Sequence, residues 1–203
     1  MGVSKSAGVN VTFLKVMTPK NDNTATSTFG KAVKNAAGGW DYVEAGDCLS
    51  GRLVKLEQGE YEWKGKVKKK VALFIEDGGD VYKLDMNHSW RVDSLLNTLA
   101  GADFGSTSVV ELTLYDNTDK EDPTCFKVRV DGERPNWLET KEERAQDYTT
   151  NITRYVGVLV AKLPTYTLPE QSSASTSVEQ PVKTAEAPQN ADLLDDIDDD
   201  LPF

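Results

Sequence analysis

Apolar positions in this chain recur mostly at every second residue, the period of a half-buried strand. Residues 9–16 predict a first strand and residues 40–43 a short one. The Thr/Asn/Gly-rich stretch between them, 18 to about 39, reads as a loop. A β-branched and leucine-containing run over 49–57 predicts a strand, and Gly51 inside it suits a bulge or a sharp coil. Gln58-Gly59-Glu60 then reads as a turn. The longest extended segment is 61–76. Within it Lys64, Lys66, Lys68 and Lys70 occupy alternate positions and so share one face. Val67, Val71, Leu73 and Ile75 fall on the other face, interrupted by Lys69. Asp77-Gly78-Gly79-Asp80 predicts a hairpin turn, and 81–86 the returning strand.

The period then changes. Val92, Leu95, Leu96 and Leu99 are spaced for one helix face, Ser89 is a candidate N-cap, and Gly101 ends the run. Alternation returns over 108–115 and 125–130, joined by an acidic loop at 116–122. Residues 139–148 read as a short polar helix, and 155–162 as a last strand. The predicted class is mainly β. Three strands, a helix and two strands are the element order of the OB-fold, a five-stranded Greek-key barrel with one helix between strands 3 and 4. Extra N-terminal strands precede it, and other small β-barrels share the order.

Composition divides the chain. From 169 to 190 only Val178 and Val182 are sizeable apolar residues among Ser, Thr, Gln, Pro, Ala and Glu. Such a segment cannot bury enough surface to offset its chain entropy. The predicted organisation is therefore a domain at 1–168, a disordered linker at 169–191 and an acidic tip at 192–203. Charge follows the same division. Of 23 Lys/Arg and 33 Asp/Glu, one and nine fall in 169–203, leaving 22 and 24 for 1–168. The body is near neutral and the tail strongly acidic.

Little points to chemistry. Cys48, Cys125 and the single histidine, His88, form no metal-ligand spacing, so neither a metal nor another cofactor is expected. Both cysteines read as small strand residues. Asp116, Asp119, Glu121 and Asp122 are acidic enough for Mg²⁺, but their mixed spacing and Lys120 suit an ordinary loop. The expected class is non-enzymatic. No apolar run reaches membrane-spanning length, and the N-terminus has no secretory pattern. A cytoplasmic protein, of a bacterial cell or an infected host, is expected.

The lysine row is the candidate binding surface. With Arg52 and Lys55 on the neighbouring strand, it would form a positive band able to track phosphates. Tyr61 and Trp63 stand at its start and Phe74 continues its face, which offers rings for base stacking. Lys127 and Arg129 face outward on the last barrel strand and extend the surface. The competing reading is an edge strand guarded by lysines, with Trp63 in the core. Trp90 suits a helix start, and Trp40, Trp137 and Tyr155 are assigned to core packing.

The chain closes on Asp198-Asp199-Asp200-Leu201-Pro202-Phe203. This end resembles that of bacterial single-stranded DNA-binding proteins, which finish on several Asp, an aliphatic residue, Pro and a terminal Phe. Leu201 and Phe203 supply two apolar anchors, Pro202 limits the backbone, and the aspartates steer toward basic surfaces. The resemblance implies recruitment of replication and recombination proteins (polymerase subunit, helicase, primase or nuclease) and a tip that folds back on the DNA groove when DNA is absent. It covers about the last nine residues. The body lacks the N-terminal strand pattern of chromosomal members, which points to a divergent, bacteriophage-encoded member and leaves a homodimer open. The functional expectation is binding of single-stranded DNA with little sequence preference. The alternative is a protein-interaction adaptor whose barrel does not touch DNA.

Overall fold

Gly51 marks the place where one long strand changes partners. Strand β4 (Cys48–Trp63) pairs through Cys48–Gly51 with β7 (Val110–Asp116) and from Arg52 onward with β5 (Lys66–Asp77). At Gly51 the φ is 152°, and a Cβ would lie 2.5 Å from the Glu76 carbonyl oxygen and 2.8 Å from Ile75 Cγ2. Only glycine lets the strand bend so closely past β5. Gly51 is thus the site of a sharp coil, and the register shift lies beyond it, at Leu53–Lys55.

The computed structural model describes residues 11–17, 27–116 and 124–163. They form one curled, eight-stranded sheet, a half-barrel, with two helices. Besides the strands named, it contains β1 (Val11–Met17), β2 (Thr28–Lys34), β3 (Trp40–Glu44), β6 (Asp80–Asn87) and β8 (Thr124–Val130). Their order is β3-β2-β1-β6-β5-β4-β7-β8. All described pairings are antiparallel except β1 with β6, where Val11 to Leu14 face Val81 to Leu84. Hydrogen bonds fold the start of β2 toward the end of β7. The Ser27 amide and hydroxyl donate to Asp116 at 2.8 Å each, the Phe29 amide to Gly46 O at 2.7 Å, and the Leu114 amide to Asp47 O at 2.7 Å.

The concave side holds the main core. Val71, Leu73, Ile75 and Leu84 meet Val110, Leu112 and Leu114 there, with Leu96 and Leu99 of helix α1 (Trp90–Ala100). Each such side chain contributes about 1.5–3 kcal/mol by leaving water. Ser89 caps α1 as expected, accepting from the Val92 amide. Gly101 ends it, for a reason of space: a Cβ would strike the backbone of Asn136 to Leu138. Helix α2 (Tyr148–Lys162) packs on α1 and β4. Its Lys162 ammonium donates to the Ala100 and Ala102 carbonyls at 2.7 Å each, placing a cation at the C-terminus of α1.

Several expectations are corrected. The loop expected over 18–39 contains β2, whose Phe29 is a core residue. The expected turn at 58–60 is continuous strand; the chain reverses at Lys64-Gly65, with φ of 49° and 74°. Positive φ at both central residues is the hairpin geometry that matches strand twist, which a Gly59 embedded between paired neighbours does not provide. The segment 61–76 is thus two strands, and Lys64 lies at the tip, outside the row. The Gly78-Gly79 turn stands as expected, with φ of 58° and 94°.

The expected helix at 139–148 is turns and irregular chain, and 155–162 is helix. The run Val156, Val158, Leu159, Val160 suggests a strand, but Asn151, Ile152, Tyr155, Val156 and Leu159 line one buried helix stripe. Asp147 caps it, accepting from the Thr149 and Thr150 amides. Two buried asparagines secure the irregular segment. Asn97 exchanges hydrogen bonds with the backbone of Glu139 at 2.9 and 3.0 Å, and Asn151 with that of Ala145 at 2.9 and 3.1 Å.

Tyr155 is core as expected, but Trp40 and Trp137 are not, at 62% and 48% exposed. Both cysteines sit on strands. Among the described residues no helix is long and apolar enough to cross a membrane, and no group of three His, Cys, Asp or Glu could hold a metal. The linker, the acidic tip and the acidic loop beyond Asp116 lie outside the described residues.

Candidate nucleic-acid interface

Pairing across the β4–β5 hairpin decides which side chains share a surface. Trp63 faces Lys66, Tyr61 faces Lys68 and Gly59 faces Lys70. Directly opposed residues project to the same side of a sheet. One side of the ribbon therefore carries two rings and three ammonium groups. The other side pairs Glu60 with Lys69 and Glu62 with Val67. Glu60 and Glu62 thus lie on the side away from Lys66, Lys68 and Lys70, together with Lys69.

Lys66 and Lys68 are exposed, and Trp63 is 39% exposed. Tyr61 is half-buried, and its hydroxyl donates to Asn87 Oδ1 at 2.9 Å. Lys64 projects from the turn with its ammonium 5.8 Å from the Trp63 ring centre. The sequence-predicted row is thus present with Lys66, Lys68 and Lys70, while Lys64 reaches the surface from the tip.

Farther along the same face the sheet becomes apolar beneath a basic cover. Val54, Ala72, Phe74 and Val81 form a small buried cluster on the convex side. Phe74 is only 4% exposed, so its ring is covered. Above it, the Lys55 and Lys83 ammonium groups lie 5.3 and 5.4 Å from its centre. Lys83 also stands 5.7 Å from the ring of Phe13, which is 42% exposed. The cations lie close enough to the ring faces for attraction by the quadrupole.

Carboxylates moderate this field. Asp85 lies 3.7 Å from both Lys70 and Lys83, Glu57 is 2.6 Å from Lys55, and Glu76 engages Arg52 through Nε at 3.1 Å and through Nη2. Arg52 and Lys55 share the predicted face but are ion-paired. Lys66, Lys68 and Lys64 have no salt bridge among those described.

Lys127 and Arg129 point to the convex side of β8, where Arg129 donates to the Gly132 carbonyl at 2.6 Å. Strands β7 and β4 separate them from β5, so they are not gathered with the ribbon lysines. Asp198, Asp199, Asp200, Leu201, Pro202 and Phe203, expected from the sequence to bind partners, lie outside the described residues.

Sequence reading missed Lys83 and Phe13. Alternation marks them: Phe13 and Lys15 fall opposite Leu14 and Val16, as Lys83 does opposite Leu84. What could not be read is that β6 and β1 lie side by side with β5. His88, Lys69, Glu60 and Thr153 line a hollow of about 300 Å³ on the other side of the ribbon. Burial and the Lys69 charge lower the His88 pKa, so this imidazole favours its neutral form.

No family model, curated protein or solved structure matches the chain.

Proposed function

We propose that this chain binds single-stranded DNA with little sequence preference, without catalysing a reaction on it, in DNA replication or recombination. The observation that carries the reading is the sorting of Tyr61, Trp63, Lys66, Lys68 and Lys70 onto one side of the β4–β5 ribbon. Lysines spaced along a strand can follow a phosphate backbone, and rings beside them can stack on any base. The basic cover of Phe74 continues that track toward Phe13.

Strand order supports the OB-fold reading. From β4 onward the chain runs strand, strand, strand, helix, strand, strand, with spatial order β6-β5-β4-β7-β8. OB-folds grip oligonucleotides on the face of their second and third strands and with the loop between the first two. Here β5, β6 and the Lys64-Gly65 turn occupy those places.

The acidic tip, on its resemblance, recruits replication proteins to DNA held by the half-barrel. Its own charge opposes contact with phosphate. The adaptor reading assigns the ribbon to a protein partner instead. Titration of tryptophan fluorescence with oligo-dT separates the two: Trp63 emission should quench, and affinity should fall steeply as salt rises. Absence of binding at low salt would sink the DNA reading.

A further inference from the structure

The convex face does not stop at β6. Strand β1 continues it through Phe13 and Lys15, β2 through Gly30, Ala32 and Lys34, and β3 through Trp40, Tyr42 and Glu44. Gly30 lies between Lys15 on one side and Glu44 on the other. A Cβ at Gly30 would overlap the Met17 side chain and stand 3.3 Å from Tyr42 Cβ. The Met17 side chain fills that space over β2. Beside it the Lys15 ammonium reaches the Tyr42 ring, 3.7 Å from its centre. Lys34 faces Trp40 one pair farther along.

These strands have no core duty on this side that would explain their aromatic residues. All five β3 residues are exposed, and Trp40 and Tyr42 alternate there beside lysines on β1 and β2. Glu44 is the one carboxylate among the described residues of this face of β1, β2 and β3. Rings beside ammonium groups are the same chemistry as on the ribbon, repeated four strands from β5. At about 4.8 Å per strand that is roughly 19 Å of sheet.

We propose that Lys15, Lys34, Trp40 and Tyr42 form a second station for the same DNA strand, with Lys83 and Phe13 as the bridge from the ribbon. This rests on the single-stranded DNA reading and sets a longer footprint than the ribbon alone. A short oligonucleotide occupies the ribbon; a long one reaches both stations.

The test uses the full chain, oligo-dT of about 8 and of about 24 nucleotides, and the double variant Trp40→Ala/Tyr42→Ala. The variant should bind the short strand as the native chain does and lose about tenfold on the long one. Trp40→Phe/Tyr42→Phe should recover most of that loss, which a misfolded edge strand would not allow. If the Ala variant binds the long strand as tightly as the native chain, the second station is wrong and the ribbon reading stands. Equal loss on both lengths also overturns it. If the native chain binds neither strand, the underlying DNA reading fails.

Discussion

The Tyr61 hydroxyl donates to Asn87 Oδ1 at 2.9 Å, which ties the projecting part of the β4–β5 ribbon to the end of β6. The ring stays on the lysine side, opposite Lys68. Tyr61→Phe should keep the ring and lose at most about 1 kcal/mol of stability, since the bond is exposed. Tyr61→Ala should weaken oligo-dT binding by about 1–3 kcal/mol through lost stacking. Titrations of both variants check this; equal effects would remove the ring from the interface.

Replacing Lys66, Lys68 and Lys70 together by Ala should flatten the salt dependence. Each phosphate contact on a single strand contributes about 0.7 to the slope of log affinity against log salt. Three lost contacts lower that slope by about 2. An unchanged slope would place the DNA elsewhere.

Gly51→Ala should destabilise the fold by about 1–3 kcal/mol, because its Cβ meets backbone that cannot turn aside. Urea midpoints measure this. Gly59→Ala is the contrast: its nearest neighbour is the flexible Lys70 side chain at 3.6 Å, and the cost should be small.

Burial, aided by the hydrogen bond to Glu139, pushes the Tyr155 hydroxyl up to about 12. An unfolded tyrosine releases its proton near 10 while the folded one holds it. The stabilisation is therefore complete below pH 10 and is lost as pH rises from there through about 12. Tyr155→Phe should cost about 1 kcal/mol at neutral pH and lessen the alkaline loss. Denaturation at about pH 8 and about pH 11 tests it; an unaltered alkaline slope would exonerate this hydroxyl.

Removing the last nine residues should leave oligo-dT affinity unchanged or tighter and abolish capture of replication proteins. Retained capture would show that the tip is not the docking segment.

Much of the fold was legible where one local signal dominated. Ser89 with the 92/95/96/99 stripe specified α1, and Gly78-Gly79 specified a hairpin. The other hairpin was misread because Gln58-Gly59-Glu60 has turn composition while Lys64-Gly65 bears a lysine. Long-range pairing with β5 outweighs that local preference and keeps Gly59 in a strand. Residues 155–162 were misread for a related reason. Their β-branched side chains favour a strand, but packing on α1 rewards the helical spacing of Ile152, Tyr155, Val156 and Leu159.

The sequence by itself determined which lysines alternate and so share a face: Lys66, Lys68 and Lys70 needed no coordinates, whereas Tyr61 and Trp63 join them only because the chain reverses at Lys64-Gly65. It also determined the acidic tail, because composition alone separates 169–203 from the body. Only the tertiary structure decided that Phe13, Lys83 and Phe74 meet, that Trp40 is exposed and that Lys64 leaves the row. These depend on contacts between strands distant in the chain. Such pairings follow from which closure buries Leu73, Leu84 and Leu112 together, and no local pattern records that choice.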